Sequence, residues 1–147
     1  MVTPIVNSIE ISRRPEDVFA YVTEPTHLPK WQESVVKVEG QAPYTVGSKV
    51  IVTRRVGRME REMTSEIAAL HPPSSWVIRG VDGPVRGNVQ GFVEPLGDGE
   101  RSHVTIALDL EGHGLGKLLL PLIVRRQVEK EMPKNMEALK RHLESTP

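Results

Sequence analysis

No cysteine occurs among the 147 residues. Disulfide frameworks, thiolate metal sites and a cysteine nucleophile are therefore excluded. An excess of charge of either sign is also missing, because nineteen Lys and Arg offset nineteen Asp and Glu. A chain with no net charge has no general electrostatic attraction to nucleic acid or to an anionic membrane, so no nucleic-acid partner is expected. The basic pairs Arg54-Arg55 and Arg125-Arg126 have acidic residues close by in sequence. Long apolar runs are absent too. The strongest, "LLLPLIV" at 118–124, is far shorter than the ~20 residues that cross a bilayer, and no stable membrane insertion is expected. The opening "MVTPIVNSIEIS" lacks the basic region and apolar stretch of a secretory signal, so a cytoplasmic location is expected. Aromatic residues are scarce, with two each of Trp, Tyr and Phe.

What remains reads as one domain spanning 1–147. "PIVNSIEIS" is rich in β-branched residues and reads as a strand. In "RRPEDVFAYV", Pro15 suits a first helical position, and Glu16 and Asp17 complement the dipole of the opening turn. "EPTHLPKW" predicts a second short helix, opened by Pro25 and stopped by Pro29. From Val35 to about Leu110 the period changes to two. Met59, Arg61, Met63, Ser65 and Ile67 alternate against Glu60, Glu62, Thr64 and Glu66, as in an antiparallel strand with one wet face. "DGP" and "DGE" mark tight turns between later strands, and strands joined this way form a meander. Beyond them Leu118, Val128, Met132, Met136, Leu139 and Leu143 make one helical stripe. Pro121 suits the opening of that long helix, and Pro133 is expected to bend it.

Between the last strand and this helix stands "EGHGLGKLLLPL", which has the look of a phosphate loop. A phosphate loop needs glycine five residues before the Gly-Lys pair and Ser or Thr after it. Glu111 and Leu118 hold those positions. The dinucleotide pattern fails as well, because Lys117 and Leu119 stand where a third glycine belongs. Gly112, Gly114 and Gly116 read instead as a turn from a strand ending near Glu111 to a helix beginning near Leu115. No nucleotide is expected. His27, His71, His103, His113 and His142 show no helical ligand spacing, so no metal is expected, and no serine sits in a nucleophile elbow.

The strings "I.ISRRPEDVFAYVTEPTHLPKW", "VGSKV", "DGP" and "EGHGLGKLL" resemble those of the START-like superfamily, in particular the bacterial SRPBCC proteins similar to polyketide cyclases and dehydrases. The likeness extends over essentially the whole chain. It implies an α+β helix-grip fold: a curved antiparallel sheet of about seven strands, two short helices, and one long C-terminal helix over a cavity. It also implies a small hydrophobic or amphipathic ligand, lipid-like or polyketide-like, or else a cyclase or dehydrase acting without metal or nucleotide cofactor. Some members are regulatory partner proteins. The family has no shared catalytic motif, so no residue here inherits a catalytic role.

Candidate ligand contacts follow from which faces should point inward. Arg61 alternates with Met59 and Met63, and Arg125 falls on the helical stripe that holds Val128 and Met132. A buried arginine needs an acceptor, which a ligand's carbonyl or acid group supplies; a packed stem with its head in solvent is the plainer reading. Asn88 shares a strand face with Phe92, which is either inward or solvated. Trp31, Met63, Trp76, Phe92, Met132 and Met136 supply apolar surface, with methionine suited to a permissive pocket. A homodimer is left open.

Overall fold

The structure, a computed structural model, describes residues 3–114 and 120–145. The element order is β1 (Ile5–Ile11), α1 (Pro15–Val22), a 3₁₀ turn (Pro25–His27), α2 (Leu28–Trp31), β2 (Val35–Glu39), β3 (Lys49–Val56), β4 (Met59–His71), β5 (Ser75–Gly80), β6 (Val85–Leu96), β7 (Arg101–Gly112) and α3 (Leu120–Ser145). The seven strands form one antiparallel sheet in the order β1-β7-β6-β5-β4-β3-β2. Consecutive strands from β2 to β7 are neighbours, as the short turns require. The first strand closes on the last, with Ile5 opposite Leu108 and Ile11 opposite Ser102. The chain crosses from one sheet edge to the other through α1 and α2. This is the helix-grip arrangement, a curled sheet around one long helix.

Two irregularities curl the sheet. Register shifts occur in β2 between Val35 and Lys37, and in β4 between Ile67 and Ala69, and an extra residue on one strand bends it and increases its twist. The concave face then carries Ile5 and Ile11 from β1, Trp76 from β5, Val85 and Val93 from β6, and Val104 and Ile106 from β7, all buried. Helix α3 covers that face with Met132, Met136, Leu139 and Leu143. The packed region centres on Ile11, Val18, Val104 and Leu139, each with no exposed surface. Helix α1 joins it through Val18, Phe19 and Val22.

Pro15 opens α1, where the missing N–H costs nothing. Pro25 opens the 3₁₀ turn, whose N-cap Glu24 accepts a hydrogen bond from the Thr26 N–H at 3.1 Å. Pro29 departs from its expected role: it lies in the opening turn of α2 and does not end a helix. A proline is tolerated there because the first-turn N–H groups lack intrahelical partners anyway. Pro133 lies inside α3, which remains a single helix from Leu120 to Ser145.

The far end of α3 is tied to β1. The Arg13 Nε–H donates to the Leu143 carbonyl at 2.8 Å. The Ser12 N–H and the Lys140 ammonium both donate to Glu144 Oε2, at 2.8 and 2.7 Å. These two donors, Lys140 first, hold the Glu144 carboxyl below its usual pKa. The glycine turn leading into α3 is described as far as Gly114, whose φ of 69° is costly for a residue with a Cβ. Strand β7 ends at Gly112, one residue past the expected Glu111. The expected helix start near Leu115, the turn residue Gly116 and the stripe residue Leu118 lie outside the described residues.

Candidate functional site

The lower part of α3 packs flush on the sheet, whereas its upper part does not. Between the upper part and β3–β7 lies a cavity of about 250 Å³. An engineered cavity of ~150 Å³ lined by apolar side chains already admits benzene, so this space is large enough for a small organic molecule. Much of its wall is apolar. Val22 and Leu28 close it near α1 and α2, Val50 and Val52 line it from β3, and Val89, Ile106 and Leu108 form its floor. Glycines keep the floor low. On β6 the inward residues are Val85, Gly87, Val89, Gly91 and Val93, and Gly87 borders the cavity together with Gly80 of β5. At Gly91 the space is taken: Trp76, its direct partner across the strands, lies against it so closely that an added Cβ would fall inside the indole ring's envelope. Phe19 meets the same indole edge-on, at 6.0 Å between centroids and 80° between planes.

Five of the expected contact residues come together here. Trp31, Met63, Trp76, Met132 and Met136 all border the cavity, and all except Met63 are buried. Four do not, and each has a physical reason. Arg61 belongs to the inward phase of β4, but the strand outruns its cover, so Arg61 and Met59 are exposed. Arg61 borders only a neighbouring surface hollow with Glu60 and Glu62. Arg125 is turned toward the start of the chain, donating from Nη1 to the Thr3 carbonyl at 2.8 Å and pairing through Nε with Glu129 at 2.8 Å. Asn88 and Phe92 have the opposite parity to Val85, Val89 and Val93, and so belong to the outer face. Asn88 Nδ2 donates to Glu111 Oε1 at 3.1 Å, and Phe92 is 43% exposed.

The inward cation is one the sequence reading passed over. Arg54, in phase with Val50 and Val52 on β3, borders the cavity and is half-buried. Its Nη1 donates to Ser34 Oγ at 3.4 Å. Burial pushes its guanidinium below the usual pKa, with the Glu131 charge acting in the opposite direction. Gln127, Glu131 and Asn135 border the same space. Their four-residue spacing on α3 places them in a row beside Val128, Met132 and Met136, a signal that was legible as a polar stripe next to the apolar one. Gln127 Nε2 donates to Glu131 Oε1 at 3.1 Å and to the Arg55 carbonyl at 3.0 Å, while Asn135 Oδ1 accepts from the Glu33 N–H at 3.3 Å. These bonds fasten α3 to β3 and to the α2–β2 loop. The cavity thus has an apolar body, a polar corner at Arg54 and Glu131, and further polar residues (Thr64, Ser65, Glu66, Asp82 and Arg86) along β4 and around the β5–β6 turn.

Among the described residues no three His, Asp or Glu side chains come together as metal ligands would. No helix among them is long and apolar enough to cross a membrane.

The family described as polyketide cyclase/dehydrase and lipid transport matches residues 3–144. The chain belongs to that family. No curated protein matches the sequence. Among solved structures, the Zhui aromatase/cyclase from a Streptomyces species (R1128) is 15% identical, with a TM-score of 0.82 over 96% of this chain and 93% of that one. A START superfamily protein from Mycobacterium smegmatis is 12% identical, with a TM-score of 0.75 over 97% of this chain and 99% of the other. The di-domain ARO/CYC BexL, from the BE-7585A biosynthetic pathway, is 17% identical with a TM-score of 0.73, over 97% of this chain but 47% of its own. This chain therefore spans about half of that protein. At such identities the likeness is one of fold, and this family member's activity has to be argued from its own cavity.

Proposed function

We propose that the protein binds a small, largely apolar molecule in the space beneath α3. The observation that carries this reading is the cavity of about 250 Å³ walled by Trp31, Trp76, Met132 and Met136. A close-packed interior leaves few voids larger than a water molecule, and an apolar one of this size is poorly hydrated and favours an apolar guest. Methionine at two wall positions adapts to more than one guest shape. A lipid-like or polyketide-like molecule fits both the wall and the family description.

A second reading, an enzyme that cyclises or dehydrates such a molecule, gains from Arg54 and Glu131. The guanidinium is placed to stabilise negative charge developing on a carbonyl oxygen, and the carboxylate supplies a base within the same cavity. One experiment addresses both readings. Native mass spectrometry of the intact chain, mixed with a panel of lipophilic compounds that includes linear polyketones, is expected to show one-to-one complexes. Complexes of unchanged guest mass support a binder, whereas loss of water from the guest supports an enzyme. No complex with any compound contradicts both.

A further inference from the structure

Three exposed apolar side chains stand around one opening. Met59, Leu122 and Ile123 are 58%, 60% and 58% exposed, and apolar residues gathered in this way mark a contact surface where scattered ones do not. Met59 begins β4 at the β3–β4 hairpin, whereas Leu122 and Ile123 lie in the first turn of α3. Gln127 brings the two segments together. Its Oε1 accepts from the Gly57 N–H at 3.4 Å, and its Nε2 donates to the Arg55 carbonyl at 3.0 Å. Ile123 precedes Gln127 by four residues, on the same side of the helix, so it stands over the hairpin. A hollow lies between hairpin and helix, and its residues Val56, Met63, Val85 and Val124 border the cavity as well. The cavity therefore adjoins the surface at this end of α3.

The same rim carries cations without partners. Glu60 faces Arg55 across the β3–β4 ladder, and the Glu62 charge acts on Lys37. Arg125 is paired with Glu129, and at the β5–β6 turn Asp82 and Arg86 have opposite charges. Arg58, Arg61 and Arg126 are left, all exposed and with no ion pair among the described residues. A chain with no net charge thus concentrates positive charge beside its apolar rim.

We infer that this rim docks on the surface of an anionic lipid bilayer. Met59, Leu122 and Ile123 enter the headgroup layer, while Arg58, Arg61 and Arg126 lie at the lipid phosphates. Apolar area and attraction between cations and anionic lipid are the two components of binding in the plane of a membrane. The choice of a bilayer rests on the apolar guest proposed above. Such a guest dissolves in membranes, and a cavity mouth pressed to the surface lets it pass without crossing water. Three cations and three apolar tips make a reversible contact, not an insertion.

The chain has no cysteine, so one introduced thiol carries one label. Ile123→Cys bearing a nitrobenzoxadiazole dye is mixed with vesicles of phosphatidylcholine, alone or with phosphatidylglycerol. Emission is expected to rise and shift to the blue with the anionic vesicles. The same dye on Phe92→Cys, on the outer face of the sheet, is expected to stay unchanged. Co-sedimentation of the unlabelled chain with anionic vesicles gives the affinity, which Arg58→Gln and Arg126→Gln each lower about fivefold. Leu122→Ser weakens docking as well, yet leaves guest complexes in native mass spectra unaltered, because this exposed side chain does not border the cavity. A label at position 123 that ignores anionic vesicles overturns the inference, and the mass spectra decide separately whether the binding reading falls with it. Equal response to neutral and anionic vesicles overturns it too. So does a response to protein concentration without vesicles, which marks a contact between two copies of the chain.

Discussion

Gly91→Ala is expected to destabilise the protein by about 3 kcal/mol, at the upper end of what overpacking a core produces. The added methyl would fall within the Trp76 indole, against its Cζ2 and Cε2 atoms. Gly91 cannot retreat, because β6 is hydrogen-bonded on both sides, to β5 and to β7. Trp76 must move instead, giving up its edge-on contact with Phe19 and its place in the cavity wall. For a chain of this length the cost corresponds to a fall of roughly 8 °C in melting temperature. Urea unfolding of Gly91→Ala, Trp76→Phe and the double variant checks the cause. The double variant should be much less destabilised than the sum of the two single changes, since the smaller ring vacates the space the methyl needs. Additive losses would show that the Trp76–Gly91 contact is not the source.

Leu139→Ala carries the second large effect, about 3 kcal/mol. Leu139 has no exposed surface and lies among Ile11, Val18 and Val104, where α1, α3, β1 and β7 meet. Truncation there leaves a closed void that its neighbours cannot fill. Met132→Ala, two helical turns earlier, should cost roughly half as much, because one side of Met132 faces the cavity and has no protein atoms to lose. Chemical unfolding of the two variants at equal protein concentration measures the ratio. Equal losses would mean that the interior around Met132 is packed as tightly as that around Leu139.

The fold was legible because its signals are local. Strand alternation, turn pairs such as Asp82-Gly83 and Asp98-Gly99, and one long helical stripe are each contained in a single segment. Much of the apolar wall was legible for the same reason, since Met132 and Met136 follow from helical period alone. What stayed hidden depends on partners distant in sequence. Arg61 and Arg54 have equal claims by alternation, and they even face each other across β3 and β4. Only the position of α3 decides that Arg54 is covered while Arg61 lies beyond the cover. Arg125 shows the same limit, because the segment ahead of β1 holds its side chain through the Thr3 carbonyl. The indole seated on Gly91 could not be read from either strand, since it follows from the register between them. Glu131 was the missed opportunity, a carboxylate in step with Gln127 and Asn135 and next to the apolar stripe.

The central claim, a guest enclosed beneath α3, meets its most direct test in a nitrogen–proton correlation spectrum recorded during titration with dodecanoic acid. The chain has two tryptophans, hence two indole signals, and both indoles border the cavity. Both signals are expected to shift and saturate at one equivalent, while the side-chain amides of Asn88 and Gln90 on the outer face stay in place. Indole signals that remain unmoved while the outer-face amides shift would contradict the account.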